Sequence, residues 1–348
     1  MTTAFYVTLL ILTTLFWGYL FYKKDYHPQP LKVILQTFGV GLFAMLPVFG
    51  YKYVYQNFLP AIAEYQIFRP LLDSALLSGL FAFGVNLILL SLLLFTLSGL
   101  VSVGVNHFNR NTLVNLKNAL REEPLGFAMV SMLLGLMIVG QTWMQNILNK
   151  PIIGTILGSI LFLAIIEEYI KHLMVRITDD KKIKNIDDAI TLSIVVGLAF
   201  AFIETIIYSI AVGDISLIFY RSMVSMPIHL VASGIFGYYY GLSHFAQPIV
   251  KLEGGEKTYR TQLFHQLLTL KRSTVYKEEK IVEGIFFATL FHAAMNLLFE
   301  FSLGYLAVPF IMIGVIVIFR LYKIGQAEDR LIVELRKKGL PKPVKKPT

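Results

Sequence analysis

Residues 164–173 read AIIEEYIKHL inside a long apolar run. Glu167, Glu168, Lys171 and His172 stand where aliphatic side chains are expected. A charged group at the centre of a bilayer costs about 2.5–3.5 kcal/mol on insertion scales, so such residues point to a function or a partner. Three more ionisable side chains lie in apolar surroundings downstream: Glu204 in GLAFAFIETIIY, His229 in RSMVSMPIHLVASGIFG and His292 in FHAAMN. Glu168 and Lys171 are spaced i,i+3, and Glu167 and Lys171 i,i+4. The lysine can therefore neutralise one carboxylate along a helix face. Phe200 and Glu204 share a face in the same way, as do His292 and Asn296. Carboxylates and histidines around buried water suit general acid–base hydrolysis. One glutamate takes a proton from water, and a histidine or second glutamate returns it to a leaving amine. A histidine with Asn296 can donate hydrogen bonds to a developing oxyanion. The chain has no cysteine, which excludes disulfides, thiolate metal sites and a cysteine nucleophile.

Other chemistries stay open at this level. Glutamate and histidine are good ligands for zinc or iron, and Glu168 with His172 has the spacing of a helical ligand pair. Against a metal, the chain lacks an HExxH motif, and Lys171 is a poor neighbour for a cation. Transport by a proton or cation relay is a third option, although no inverted repeat is evident. A purely structural Glu–Lys pair is the plain alternative for any one of these residues. It weakens once four consecutive helices each carry a buried ionisable group. His172 reads as a boundary residue near the end of its span. Arg221 reads as a snorkelling anchor, with pairing to Glu204 as the alternative. The stretch GYYYG at 237–241 reads as an interfacial aromatic belt.

The elements that must hold these groups follow from composition. The chain has 348 residues, of which 56% are hydrophobic and only 15% charged, and its mean hydropathy is +0.65. Soluble domains carry about 25% charged residues. The sequence therefore predicts an all-α polytopic integral membrane protein. About nine apolar windows are long enough to span: 4–22, 33–53, 75–102, 125–147, 153–175, 189–212, 218–245, 281–301 and 303–320. The loops 23–32, 103–124, 176–188 and 246–280 and the tail from 320 hold nearly all the lysines and arginines. Lys52, Arg69 and Lys150 alone fall on the other side, and Lys171 and Arg221 fall within spans. This sorting predicts an outside N-terminus and a cytoplasmic C-terminus. The first span reads as a retained anchor, since it lacks a basic leading segment and a clear cleavage site. QLFHQLLTLKR, within 246–280, reads as an amphipathic patch on the inner leaflet or as a plain connector. The net charge of +9 is thus a loop property and gives no reason to expect nucleic acid as a partner. No soluble domain or glycine-rich nucleotide loop is present.

The motifs, taken in order, resemble the PrsW family of membrane proteases. EEYIK fits EExxK, and Phe200 with Glu204 fits FxxxE. NIDDAI, 185–190, resembles a short acidic connector that precedes the second motif. The stretch from Arg221 through Pro227, His229 and Ser233 resembles a third motif, and FHAAMN fits HxxxN. The resemblance covers about 155–300. The related CAAX prenyl protease and bacteriocin-processing family instead carries EExxxR and FxxxH. Thr205 departs from the asparagine common at that place. The resemblance implies a glutamate-based, metal-independent intramembrane peptidase with no cofactor beyond water. Glu167 would be the base and Glu168 its partner. Glu204 and His229 would shape the site, and His292 with Asn296 would hold the oxyanion or the water. Lys171, Phe200 and Arg221 would support them. The implied substrate is a membrane protein or lipid-attached peptide in a prokaryotic cytoplasmic membrane. The implied organisation is an N-terminal addition (1–124), a peptidase-like core (125–323) and a basic tail (324–348). Members of the wider group without shown activity keep a non-catalytic interaction role as an alternative.

Overall fold

The computed structural model describes residues 3–49, 151–179, 182–252 and 271–337. The predicted spans 75–102 and 125–147, the outer loop 54–74, most of QLFHQLLTLKR and the tail beyond 337 lie outside them. Among the described residues every regular element is helical: α1 (Thr3–Tyr22), α2 (Leu31–Leu42), α3 (Pro151–Asp179), α4 (Ile186–Val212), α5 (Leu217–Tyr220), α6 (Met226–His244), α7 (Ala246–Leu252), α8 (Arg272–Glu300) and α9 (Ala307–Lys337). Among the described residues five stretches are long and apolar enough to cross a membrane: Thr3–Tyr22, Leu31–Phe49, Ile186–Val212, Arg272–Glu300 and Gly304–Arg330. The last helix runs on to Lys337, so the expected tail from 324 begins as helix.

Helix α4 is the centre of the bundle. Of its most apolar window 78% is buried, against 22% for α1 and for the helix ending at Arg330. Apolar surface left exposed on the outer helices suits contact with lipid tails, which are as apolar as leucine. The start of α4 is heavily capped. Asn185 accepts from the Asp188 backbone N–H at 2.6 Å, and Asp188 accepts in return from the Asn185 N–H at 3.3 Å. Asp329 from α9 accepts from the Ile186 N–H at 2.9 Å. Carboxylates satisfy the free donors and suit the positive end of the helix dipole. NIDDAI, expected as a connector, is therefore the N-cap and first turn of α4. Asp25, in the turn after α1, accepts from the Thr191 hydroxyl at 2.8 Å and from the His27 N–H at 2.9 Å. Burial raises the Asp25 carboxyl above its ordinary value, and those two hydrogen bonds offset part of the rise. The α1–α2 turn is thus pinned to α4.

Helices α4 and α6 approach closely along small residues. A Cβ at Gly237 would come within 2.8 Å of the Ala189 carbonyl and the Ile190 Cα. One at Gly197 would meet the His229 carbonyl at 2.8 Å. This small-xxx-small contact lets the backbones close and places His229 against α4. GYYYG is thereby part of the interior seam: Tyr240 is buried, with only 1% of its surface exposed. The predicted seventh span is also not one uniform helix. Between α5 and α6 the segment Arg221–Ser225 forms a π turn, in which the Met226 N–H reaches the Arg221 carbonyl. Pro227 explains the widening. It has no N–H to give, and its ring would clash with the carbonyl one normal turn back.

Two glycine substitutions should separate the seam from ordinary helix positions. Gly237→Ala is expected to lower unfolding stability by about 1–3 kcal/mol through overpacking. Gly39→Ala, where a Cβ meets nothing within 4 Å, should leave stability unchanged or raise it by up to about 1 kcal/mol. Denaturant unfolding of the detergent-solubilised protein reads both.

Candidate active site

Four elements bring the ionisable residues together. Helix α3 carries Glu167, Glu168 and Lys171, and α4 carries Phe200 and Glu204. The π turn carries Arg221, α6 carries His229, and α8 carries His292 and Asn296. Their side chains form one connected network. The Lys171 ammonium donates to Glu168 Oε1 at 2.6 Å and lies 2.8 Å from His229 Nδ1. His292 Nδ1 lies 2.7 Å from the same Glu168 oxygen. His229 Nε2 lies 2.8 Å from Glu204 Oε2, and Arg221 Nη2 reaches that oxygen at 2.6 Å.

Donor and acceptor chemistry fixes the protons. An ammonium can only donate, so His229 Nδ1 accepts from Lys171, and His229 Nε2 carries the hydrogen donated to Glu204. Ionised Glu168 can only accept, so His292 donates from Nδ1. With His292 neutral, its Nε2 lone pair then faces Glu167 Oε2 across 3.7 Å. That gap is too long for a direct hydrogen bond and suits a bridging molecule. The two rings touch edge to face, with centroids 4.8 Å apart.

The charge balance singles out one residue. Lys171 offsets Glu168, and Arg221 offsets Glu204. Among the described residues no lysine or arginine is paired with Glu167. Its Oε2 is buried without a hydrogen-bond partner, as is Glu168 Oε2. Buried carboxylate oxygens left in this way are costly unless something binds them. Glu167 also keeps the most access, with 12% of its side chain exposed against 1% for Glu168.

The supporting residues take definite places. The Lys171 ammonium sits 4.5 Å above the Phe200 ring centroid, and that ring packs on His229 at 5.2 Å. Phe200 therefore shields the lysine from lipid while adding a cation–π contact. Arg221 is not a snorkelling anchor: it pairs with Glu204 and covers Tyr208 at 4.4 Å. Tyr208 went unremarked in the sequence, although its i,i+4 spacing from Glu204 was the available signal. His172 is wholly buried, with the Phe236 and Tyr240 rings 4.5 Å and 5.4 Å from its own. Asn296 is half-buried one turn from His292, and among the described residues it makes no side-chain hydrogen bond to the cluster.

A cation could use part of the same set. Glu167, His229 and His292 each offer a ligand atom, all within 4.8 Å of one another. Two histidines and a carboxylate are a familiar zinc set, and the Glu168 bond to His292 is the usual outer support for such a ligand. The set fits a metal once His229 gives up Lys171 or Glu204, because both of its nitrogens are engaged.

Lys171 is the cation paired with buried Glu168 and the donor to His229 Nδ1, which sets the expected cost of losing it. Lys171→Met should lower unfolding stability by about 3–5 kcal/mol, the range for breaking a buried pair. Arg221→Met should cost less, because 17% of the arginine side chain meets solvent or lipid. Pairing each change with its carboxylate partner in a double-mutant cycle isolates the coupling.

Comparison with known proteins bears on the same elements. Residues 124–254 match the family described as PrsW family intramembrane metalloprotease. The match includes Glu167, Glu168, Lys171, Phe200, Glu204, Arg221 and His229, and it stops before His292 and Asn296. No curated protein and no solved structure matches the chain. Over residues 124–254 this multi-pass membrane protein is therefore similar to the PrsW family of intramembrane proteases.

Proposed function

We propose that the protein hydrolyses a peptide bond of a membrane protein or lipid-attached peptide, with Glu167 activating the attacking water. One observation carries this reading: Glu167 is the one carboxylate of the cluster with no cationic partner among the described residues, and its buried oxygen faces the open nitrogen of His292. A water held between Glu167 Oε2 and His292 Nε2 would give its proton to Glu167 as its oxygen bonds to the scissile carbonyl carbon. The carbonyl electron pair moves to oxygen, and Asn296 would donate to that oxyanion. Glu167 then returns the proton to the departing amine nitrogen as the C–N bond breaks. Lys171, Glu168, His229 and Glu204 hold the rings and charges in position, so little reorganisation accompanies the step. Burial among four elements keeps bulk water out, which strengthens each interaction.

The reading extends to setting. The basic loops support an outside N-terminus and a cytoplasmic C-terminus in a prokaryotic cytoplasmic membrane. The substrate would be membrane-embedded, as the family's name implies.

A metal is the second reading, favoured by the proximity of Glu167, His229 and His292 and by the family's description. Those three residues would hold it. A bound zinc ion lowers the pKa of its water and polarises a carbonyl. The first reading is preferred because Lys171 and Glu204 already occupy both nitrogens of His229.

Proteoliposomes carrying the purified protein and candidate transmembrane peptides test both. Glu167→Gln should slow cleavage by about 10²–10⁴-fold, the usual worth of a general base, with unchanged unfolding. Strong chelators should leave the wild-type rate intact. Full activity in Glu167→Gln contradicts the assignment of the base. Loss on chelation with recovery on adding zinc establishes the metal reading instead.

A further inference from the structure

A slot of about 360 Å³ runs between α1, α2 and α4. Ile194 and Leu198 are part of its floor, with Leu15 and Gly18 on the α1 wall and Leu31 and Leu35 on the α2 wall. At 3.6 residues per turn, this stripe of α4 is turned away from Phe200 and Glu204, so the slot and the ionisable cluster use different sides of one helix. Gly18 helps to make the room, since a Cβ there would meet Leu198 at 3.3 Å. The turn joining α1 and α2 is tied down twice, by Asp25 to Thr191 at 2.8 Å and by Gln29 to the Lys182 carbonyl at 3.1 Å. These ties fix the spacing of the walls. Leu15, Leu31 and Leu35 stay exposed, so the slot opens sideways onto the surface that faces lipid.

The slot offers little to a polar guest. Two threonines line it, and both spend their hydroxyls on the protein: Thr14 donates to the Leu10 carbonyl at 2.6 Å and Thr191 to Asp25. A dry apolar cavity of about 150 Å³ already holds benzene, so this slot takes a longer apolar guest. Its lining runs from Thr14 to Tyr22 on α1, about 12 Å along the helix. That is most of one leaflet, half of a hydrocarbon core about 30 Å thick.

The rim carries the opposite character. Tyr22 and Leu31 close the end that the basic loops assign to the cytoplasm, and Lys23 and Lys32 are the residues next to them. Both lysines are exposed, and among the described residues neither makes an ion pair. Lys24 turns aside onto the Phe319 ring of α9 at 4.8 Å. Asp25, the acidic residue of the turn, is buried and already accepts from Thr191 and His27.

We propose that this slot binds one acyl chain of an anionic phospholipid of the cytoplasmic leaflet, with Lys23 and Lys32 on its phosphate. An apolar slot one leaflet deep under a basic rim matches both halves of that molecule, the tail by burial and the head group by charge. A peptide helix, about 10–12 Å across with its side chains, would rest on the slot rather than enter it. The site is independent of the proposed hydrolysis.

Lipid binding to the full-length protein in detergent, counted by native mass spectrometry, tests this without any substrate. Dioleoyl phosphatidylglycerol and dioleoyl phosphatidylcholine are titrated separately at one ionic strength. One phosphatidylglycerol per chain should bind saturably, at least tenfold more tightly than phosphatidylcholine. Lys23→Gln combined with Lys32→Gln should erase most of that preference, since each lysine beside an anionic head group contributes several-fold. Leu35→Trp, a change at an exposed position that fills the slot, should weaken both lipids at least tenfold and leave lipid-free thermal unfolding unchanged. Absence of a saturable site, binding without preference, or binding equal in the wild type and these variants overturns the proposal. The chain has no cysteine, so Leu35→Cys supplies a single thiol to test other occupants. Disulfide-linked dimers would put a second copy on the slot. Protection from maleimide by a transmembrane peptide, and not by phosphatidylglycerol, would put a peptide there. Either result overturns the lipid assignment, and protection by phosphatidylglycerol alone supports it.

Discussion

One ammonium group holds the centre of this protein together. Lys171 touches Glu168 on its own helix, His229 on α6 and the Phe200 ring on α4. The protonation pattern of the cluster follows from that single cation. Because it donates to His229 Nδ1, the imidazole must donate through Nε2 to Glu204. Because it shares Glu168 with His292, the second imidazole turns its free nitrogen to Glu167. Take the charge away, and buried Glu168 keeps only its bond to His292 while His229 Nδ1 loses its donor. Two of the three carboxylates of the cluster are thus committed to cations, and among the described residues the third, Glu167, is not.

The fold serves this constraint by closeness. Bringing His229 within 2.8 Å of Glu204 needs α4 and α6 backbones nearly in contact. Gly197 and Gly237 remove the side chains that would hold them apart. Arg221 reaches the same glutamate from a π turn that Pro227 forces on the chain. The capped start of α4, tied to the α1–α2 turn and to α9, fixes the height of the central helix against the others. Each of these devices sets the position of a group in the ionisable cluster.

Much of the site was legible in the sequence because buried charge has few innocent explanations. Glu168, Lys171, Phe200, Glu204, His229 and His292 from these motifs meet in the cluster, and the i,i+3 spacing on α3 allowed the Glu168–Lys171 pair. What the sequence could not decide was which glutamate Lys171 would take. Glu167 and Glu168 are both within one turn of it, and the choice depends on where α6 and α8 put their histidines. For Arg221 the sequence leaves an anchor and a partner of Glu204 both open, and the π turn that carries it leaves little trace in the pattern beyond the proline. The end-of-span reading of His172 and the belt reading of GYYYG concern depth in the membrane and leave the burial of His172 and Tyr240 undecided. Depth along a helix says nothing of which side faces the bundle, and both face inward. The last span was drawn too short because its polar continuation, from 321 to 337, stays helical after hydropathy has fallen.

The account turns on Glu167 acting upon a membrane-embedded peptide bond. The most direct measurement compares the termini of membrane proteins in living cells that carry either the wild type or Glu167→Ala at equal abundance. At least one membrane protein should yield paired fragments, cut within or beside a span, in the first strain and accumulate uncut in the second. Identical terminal profiles in the two strains, or the same cut persisting in Glu167→Ala, would contradict the account.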